Sequence, residues 1–263
     1  MQSIEMLDPM LTASLRGEVA GRQALVFNVI GRRETFVNTT AQHDIAEFLD
    51  GSTLGLVDMA GDEPLEIVST SANDAAAGSG IRTVRITYVD ANGNLAEKQA
   101  LGLNGVTPIA AGFTAKAILF METETAGSGS LAAGAVTLRK VSGAVPVEQI
   151  AVGGNKSMSG RFMVPKGYEA YISGYAIHAI RQNMDCRMRA TVFSKDRTLD
   201  VGGLYRFQDV AYAAANVESI KEIPYLRFPA LSRIKLSTIP SAITGSPRID
   251  VTFSVLLIAR NEG

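Results

Sequence analysis

Along most of this chain apolar and polar residues alternate with a period of two, the pattern of strands that bury one face. In Thr83–Val89, Val84, Ile86 and Tyr88 share one face while Thr83, Arg85 and Thr87 share the other. Asp90-Ala91-Asn92-Gly93-Asn94 follows as a hairpin turn, because Asn and Gly take up positive φ at little cost. Leu95–Leu103 reads as the return strand and ends at a second turn signal, Asn104-Gly105. Ala115–Glu124 is apolar on both faces, and Gly127-Ser128-Gly129-Ser130 separates it from Ala135–Val141. Residues 61–142 are therefore expected to form a small antiparallel β-sandwich.

Residues 143–149 carry Gly143 and Pro146 and predict a hinge. Beyond it, Ser159–Val164 leads through the turn Pro165-Lys166-Gly167 into a long strand, Tyr168–Ile180. Asp185–Ser194 alternates Met188, Ala190 and Val192 against Arg187, Arg189 and Thr191. Pro224 and Pro229 mark strand ends or edges in Ile223–Thr238. The last strand, Ile249–Ile258, is apolar enough to predict a central place in its sheet. Residues 150–263 are expected to form a larger, jelly-roll-like sandwich.

The first 60 residues follow another pattern. Ala24–Ile30 predicts a strand, Gly31-Arg32-Arg33 a turn and Glu34–Val37 a return. Asn38-Thr39-Thr40 would then cap a short helix over Ala41–Leu49. Residues 1–20 have no period of their own, and the expectation is an arm that orders against a neighbour. The fold class predicted is all-β: two antiparallel, jelly-roll-like β-sandwiches with an N-terminal extension over residues 1–60.

Composition narrows the function classes. The 263 residues are 46% hydrophobic and 19% charged, a globular balance. With 25 basic and 26 acidic residues, the chain lacks the cationic excess that replaces counterions around phosphates, so no nucleic-acid partner is expected. No run of 18 apolar residues and no basic-then-apolar leader occurs, so neither a membrane span nor a signal peptide is predicted. Cys186 is the single cysteine, which excludes an internal disulfide and suggests a reducing compartment.

The search for catalytic chemistry returns little. His43, beside Asp44 on the expected helix, reads as exposed, and His178 reads as a partly buried structural residue. Beyond Arg187 and Arg189, Cys186 has neither the helix terminus nor the charge cluster that activates a thiol, so a structural role is expected. The Asp90 loop begins like a calcium loop, but its twelfth position is Leu101 instead of a bidentate acid, so a turn explains it. Gly78-Ser79-Gly80 and Gly202-Gly203 fit no phosphate-loop spacing. Glu122 and Glu124 share a strand face, as paired glycosidase carboxylates would, and equally as solubilising charges would. No cofactor, metal site or enzymatic activity is expected. The notable charge feature is Arg181, Arg187 and Arg189, a candidate interface toward acids such as Asp44 and Glu47 of a neighbouring copy. Tyr205, Tyr212 and Tyr225 are candidates for an aromatic groove.

One stretch carries a resemblance. Val68-Ser69-Thr70-Ser71-Ala72-Asn73-Asp74-Ala75-Ala76-Ala77-Gly78-Ser79-Gly80-Ile81-Arg82-Thr83-Val84, with Tyr88–Asn94 and Leu103-Asn104-Gly105, resembles a module common in virion structural proteins of tailed bacteriophages. The turn Phe162-Met163-Val164-Pro165-Lys166-Gly167-Tyr168 and the Pro-bounded stretch Ile223–Pro229 are similar to a sandwich domain of the same proteins. Together they cover residues 65 to 258. The resemblance implies a non-enzymatic capsid decoration (cement) protein, with a tail, collar or fibre component, including one that binds a receptor or glycan, as the alternative; the expected location is the virion, assembled in the bacterial cytoplasm. The partners it implies are copies of the chain itself, as a homotrimer, and the major capsid protein or other virion proteins.

Overall fold

The computed structural model describes residues 24–34, 36, 42–46, 59, 63–191 and 206–259. These residues form an all-β chain. Its strands are β1 (Ala24–Arg33), β2 (His43–Asp44), β3 (Leu65–Ser69), β4 (Ile81–Asp90), β5 (Leu95–Gly102), β6 (Ile109–Ala110), β7 (Ala115–Ala126) and β8 (Val136–Lys140). They continue as β9 (Pro146–Ile150), β10 (Arg161–Met163), β11 (Tyr168–Ile180), β12 (Met184–Ala190), β13 (Arg206–Ala213), β14 (Val217–Phe228), β15 (Arg233–Thr238) and β16 (Arg248–Ala259). No helix among the described residues is long and apolar enough to cross a membrane.

The strands make four antiparallel sheets, ordered β1-β16-β11-β14, β10-β15-β12-β13 with β2 added to β15, β6-β3-β8-β9, and β5-β4-β7. The first two face each other over one apolar core, built on fully buried Phe228, Phe253, Met188, Ile172 and Ile177. The other two enclose a second core around Ile67, Ile81, Ile86, Met121, Leu138 and Ile150. Each such side chain contributes about 1.5–3 kcal/mol of transfer free energy. As its alternation and apolar character predict, β16 is central, paired to β1 on one side and to β11 on the other.

The chain does not divide in space as it divides along the sequence. β1 belongs to the sheet of β11, β14 and β16, so residues 24–33 are an integral part of the later core and not an extension of it. The whole β3–β9 unit sits between strands of that larger core. Residues 143–149, read as a hinge, hold a 3-10 turn and most of β9, which pairs with β8 and buries Val147, Glu148, Gln149 and Ile150.

The two units are closely joined. Val89 and Leu119 of the inserted unit are buried in the larger core, and Phe120 packs against Phe27 with ring centroids 6.1 Å apart. Two turn signals meet at the junction, where the Lys166 amide donates to the Gly93 carbonyl at 2.7 Å. Arg161 donates to the Val147 carbonyl at 2.6 Å, and Arg233 to the Met59 carbonyl at 2.6 Å.

Three local expectations are corrected. β1 continues through Gly31-Arg32-Arg33, where a turn was predicted, because Arg32 and Arg33 stay in register with Asp250 and Ile249. The glycine is needed there for close approach: a Cβ on Gly31 would lie 2.7 Å from Ile45 Cγ2 and 2.9 Å from Gly160 Cα. The helix expected over 41–49 is replaced at His43–Asp44 by a strand paired to Ser237 and Thr238. Tertiary pairing there outweighs a local capping signal. Asn38–Thr40, Glu47 and the arm at residues 1–20 lie outside the described residues.

Candidate functional site

Strand alternation decides what β12 offers to solvent. Met184, Cys186, Met188 and Ala190 point into the core, which turns Asp185, Arg187 and Arg189 to the outer face. On the neighbouring β13, Tyr212 stands directly opposite Asp185 and is 79% exposed. Asp185 itself is buried, and its carboxylate accepts the Arg187 guanidinium at 2.5 Å and the Ile239 amide at 2.6 Å.

Tyr212, Asn183, Arg187, Pro240 and Ser241 line an open cleft of about 650 Å³, together with Met184 and Ala213 among others. Its rim is held by hydrogen bonds between loops. Asn183 Oδ1 accepts the Ala215 amide at 2.8 Å, and the Ser241 amide donates to the Asn183 carbonyl at 3.0 Å. Outside the cleft lining, the Arg181 amide donates to Asn216 Oδ1 at 3.0 Å, and its guanidinium donates to the Gly245 carbonyl at 2.6 Å.

No protein-family model matches this sequence, and no curated protein matches it. Among solved structures, the chain is similar to the N-terminal CBM22-1-CBM22-2 tandem domain of Paenibacillus barcinonensis Xyn10C, at 14% identity over 77% of this chain and 80% of that one, with a TM-score of 0.24. It is also similar to a chain of infectious bursal disease virus Gt strain, at 10% identity over 95% of this chain and 78% of that one, with a TM-score of 0.25. These likenesses carry no part of the functional argument.

The candidate interface residues are only partly gathered. Arg187 and Arg189 share the outer face of β12, whereas Arg181 lies in the turn between β11 and β12 and donates to the carbonyls of residues 245 and 246. Asp44, expected to meet the arginines of a neighbour, meets them within its own chain, 3.8 Å from Arg189 and 2.7 Å from Lys235. β2 brings it there, and no feature of the local sequence announces that pairing. Glu47 and Tyr205 lie outside the described residues, and Tyr225 falls in β14.

The histidines exchange their expected environments. His43 is buried against Phe36, ring centroids 5.4 Å apart, and His178 is exposed on the outer face of β11 opposite Asp250 and Glu218. Cys186 is fully buried, and burial pushes its thiol well above the ordinary range, aided by the Asp185 and Asp209 carboxylates. Glu122 and Glu124 flank Arg85, each 3.8 Å from its guanidinium. Asp90 accepts the amides of Asn92 and Asn94 at 2.8 Å, the geometry of a side-chain-stabilised turn. Among the described residues no three His, Cys, Asp or Glu side chains converge as metal ligands.

One residue went unnoticed in the sequence. Asp74 is fully buried and its carboxylate accepts Ser69 Oγ at 2.6 Å and the amides of Ile81 at 2.8 Å, Ala133 at 3.0 Å and Gly134 at 2.8 Å. It organises the Ser69–Gly80 loop that carries the phage resemblance, and Asp in a Ser/Ala/Gly-rich run was the available signal.

Proposed function

We propose that this chain is a structural protein of a tailed-bacteriophage virion, attached to the capsid surface as a decoration (cement) protein, with no catalytic site of its own. The observation that carries this reading is strand order. Leaving aside the two-residue β2, the larger core has eight strands, and its sheets run first-eighth-third-sixth and second-seventh-fourth-fifth in chain order. First pairs with eighth, second with seventh, third with sixth and fourth with fifth. That order supports reading the larger core as one long hairpin of paired strands rolled over itself, in the manner of a jelly roll, an architecture that viral capsid and lectin domains use.

A fold alone does not assign a function. The phage-like motifs add to it, since they fall in both units: Asp74 and the Asp90 turn beside the smaller core, the Pro165 turn and the β14 stretch Ile223–Pro229 in the unit of the larger. Rigid, closely joined sandwiches suit such a role because large preformed faces lose little conformational entropy on assembly. The partners are copies of the chain, as a homotrimer, and the major capsid protein. The virion is the location, and assembly takes place in the host cytoplasm. The other placing is in the tail, collar or a fibre.

Copy number tests the proposal. Quantitative mass spectrometry of intact particles, with light scattering on the purified protein, should find a trimer present in proportion to the major capsid protein. A few to a dozen copies would transfer it to the tail, collar or fibre, and a monomer absent from particles would end the structural reading.

A further inference from the structure

Beyond attachment to a particle, we infer that the cleft beside Tyr212 is a binding site for a neutral carbohydrate. Tyr212 carries the argument first. It is the most exposed of the large hydrophobic side chains among the described residues, at 79%, and it stands beside a cleft instead of on a flat face. An exposed ring offers a platform for the C–H face of a sugar, an aromatic body with a polar tip suited to a ligand that is both apolar and wet.

The polar groups around the ring fit the same ligand. Asn183 and Ser241 both line the cleft; the Asn183 oxygen is committed to the Ala215 amide, which leaves its NH₂ as the donor end of that side chain, and a serine hydroxyl both donates and accepts. A sugar presents alternating hydroxyl donors and acceptors at the spacing that such groups read. Few polar groups in a partly apolar cleft is the usual composition of a small-ligand site.

Charge narrows the class. The lining includes one acid and one base, Asp185 and Arg187, and these two neutralise each other at 2.5 Å. A phosphate, uronate or sialate would need a cation available to it, whereas a neutral sugar needs none. Two lining residues, Asn183 and Ser241, are also held in advance by hydrogen bonds, so little ordering accompanies binding there.

The test titrates the full chain with three neutral oligosaccharides, maltotriose, mannotriose and chitotriose, by calorimetry and by NMR of the tyrosine rings. At least one should bind saturably, Tyr212→Ala should weaken it about tenfold or more, and Tyr212→Phe should retain most of the affinity. Ile220→Ala, an exposed change on β14 outside the cleft, should leave binding intact. No saturable binding to any of the three overturns the inference, as does binding indifferent to Tyr212→Ala. Equal effects of the Tyr212 and Ile220 changes, with concentration-dependent dimerisation, would assign the tyrosine to a contact between copies and likewise overturn it. Circular dichroism confirms that each variant is folded.

Discussion

Glu148 on β9 and Arg161 on β10 face each other across the seam between the two cores, carboxylate Oε2 3.7 Å from guanidinium Nη2. Glu148 is fully buried, and burial pushes its carboxyl above the ordinary value, against the opposing pull of Arg161 and of hydrogen bonds with Ser159, the Gln149 amide and Ser157. The native state therefore holds this proton more tightly than the unfolded chain. Stability linked to Glu148 is fully present at acid pH and declines as pH rises above the ordinary carboxylate value near 4.5. Relative to the parent protein, Glu148→Gln should gain stability steadily from about pH 4.5 toward 7, read from urea midpoints. A difference that stays flat across that range contradicts the assignment.

Arg161→Ala tests the other half of the pair. It removes the charge that opposes the upward push of burial on the Glu148 carboxyl, so stability should fall more at pH 7 than at pH 4.5. Because Arg161 also donates to the Val147 carbonyl, the loss should appear as loosening between the two units. Hydrogen exchange should rise first along β9 and β10.

Asp74→Ala should be among the most destabilising single changes in the smaller unit. Three backbone amides and the Ser69 hydroxyl lose their acceptor, and each unsatisfied buried group costs about 1–3 kcal/mol. Calorimetry should show a melting temperature lower by ten degrees or more, on the order expected from that loss. A shift of a degree or two would show that water replaces the carboxylate.

The two arginines of β12 should separate on substitution. Arg187→Ala removes a partner from buried Asp185 and should cost about 1–3 kcal/mol. Arg189→Ala breaks a longer contact to the more exposed Asp44, worth about 0–1 kcal/mol after solvent screening. Equal losses in urea unfolding would refute this ranking.

Cys186 should behave as a core residue. Its thiol is held above the ordinary range by burial, so the reactive thiolate is scarce. At pH 8 an aromatic disulfide reagent should label the protein only at its unfolding rate. Immediate stoichiometric labelling would show that the thiol is accessible.

Much of this protein is legible in its residues. Alternation located β4, β12 and β16, turn signals bounded β5, an apolar run marked β7, and the Asp90 and Pro165 turns were placed by Asn, Gly and Pro chemistry. Period two also predicts which side chains of β12 face inward, so the outward Arg187 and Arg189 were readable. Local signals failed where a partner distant in sequence decides. The cap-like Asn38-Thr39-Thr40 suggested a helix, but His43–Asp44 pairs with residues 237 and 238. His43 and His178 were assigned to the wrong environments for the same reason: exposure depends on what packs above a strand.

By itself, then, the sequence determined strand content, turn positions and the inward and outward faces of many strands, because these follow from side-chain alternation and backbone φ preferences over a few residues. Tertiary structure alone decided that β1 closes against β16 from more than 200 residues away, that the whole β3–β9 unit is carried between strands of the larger core, and that Asp44 meets Arg189 in its own chain. It also placed Tyr212 beside Asn183 and Ser241 to form the cleft. Those choices rest on non-local pairing and core packing, whose energies depend on which distant surfaces fit, and no short window of residues contains them.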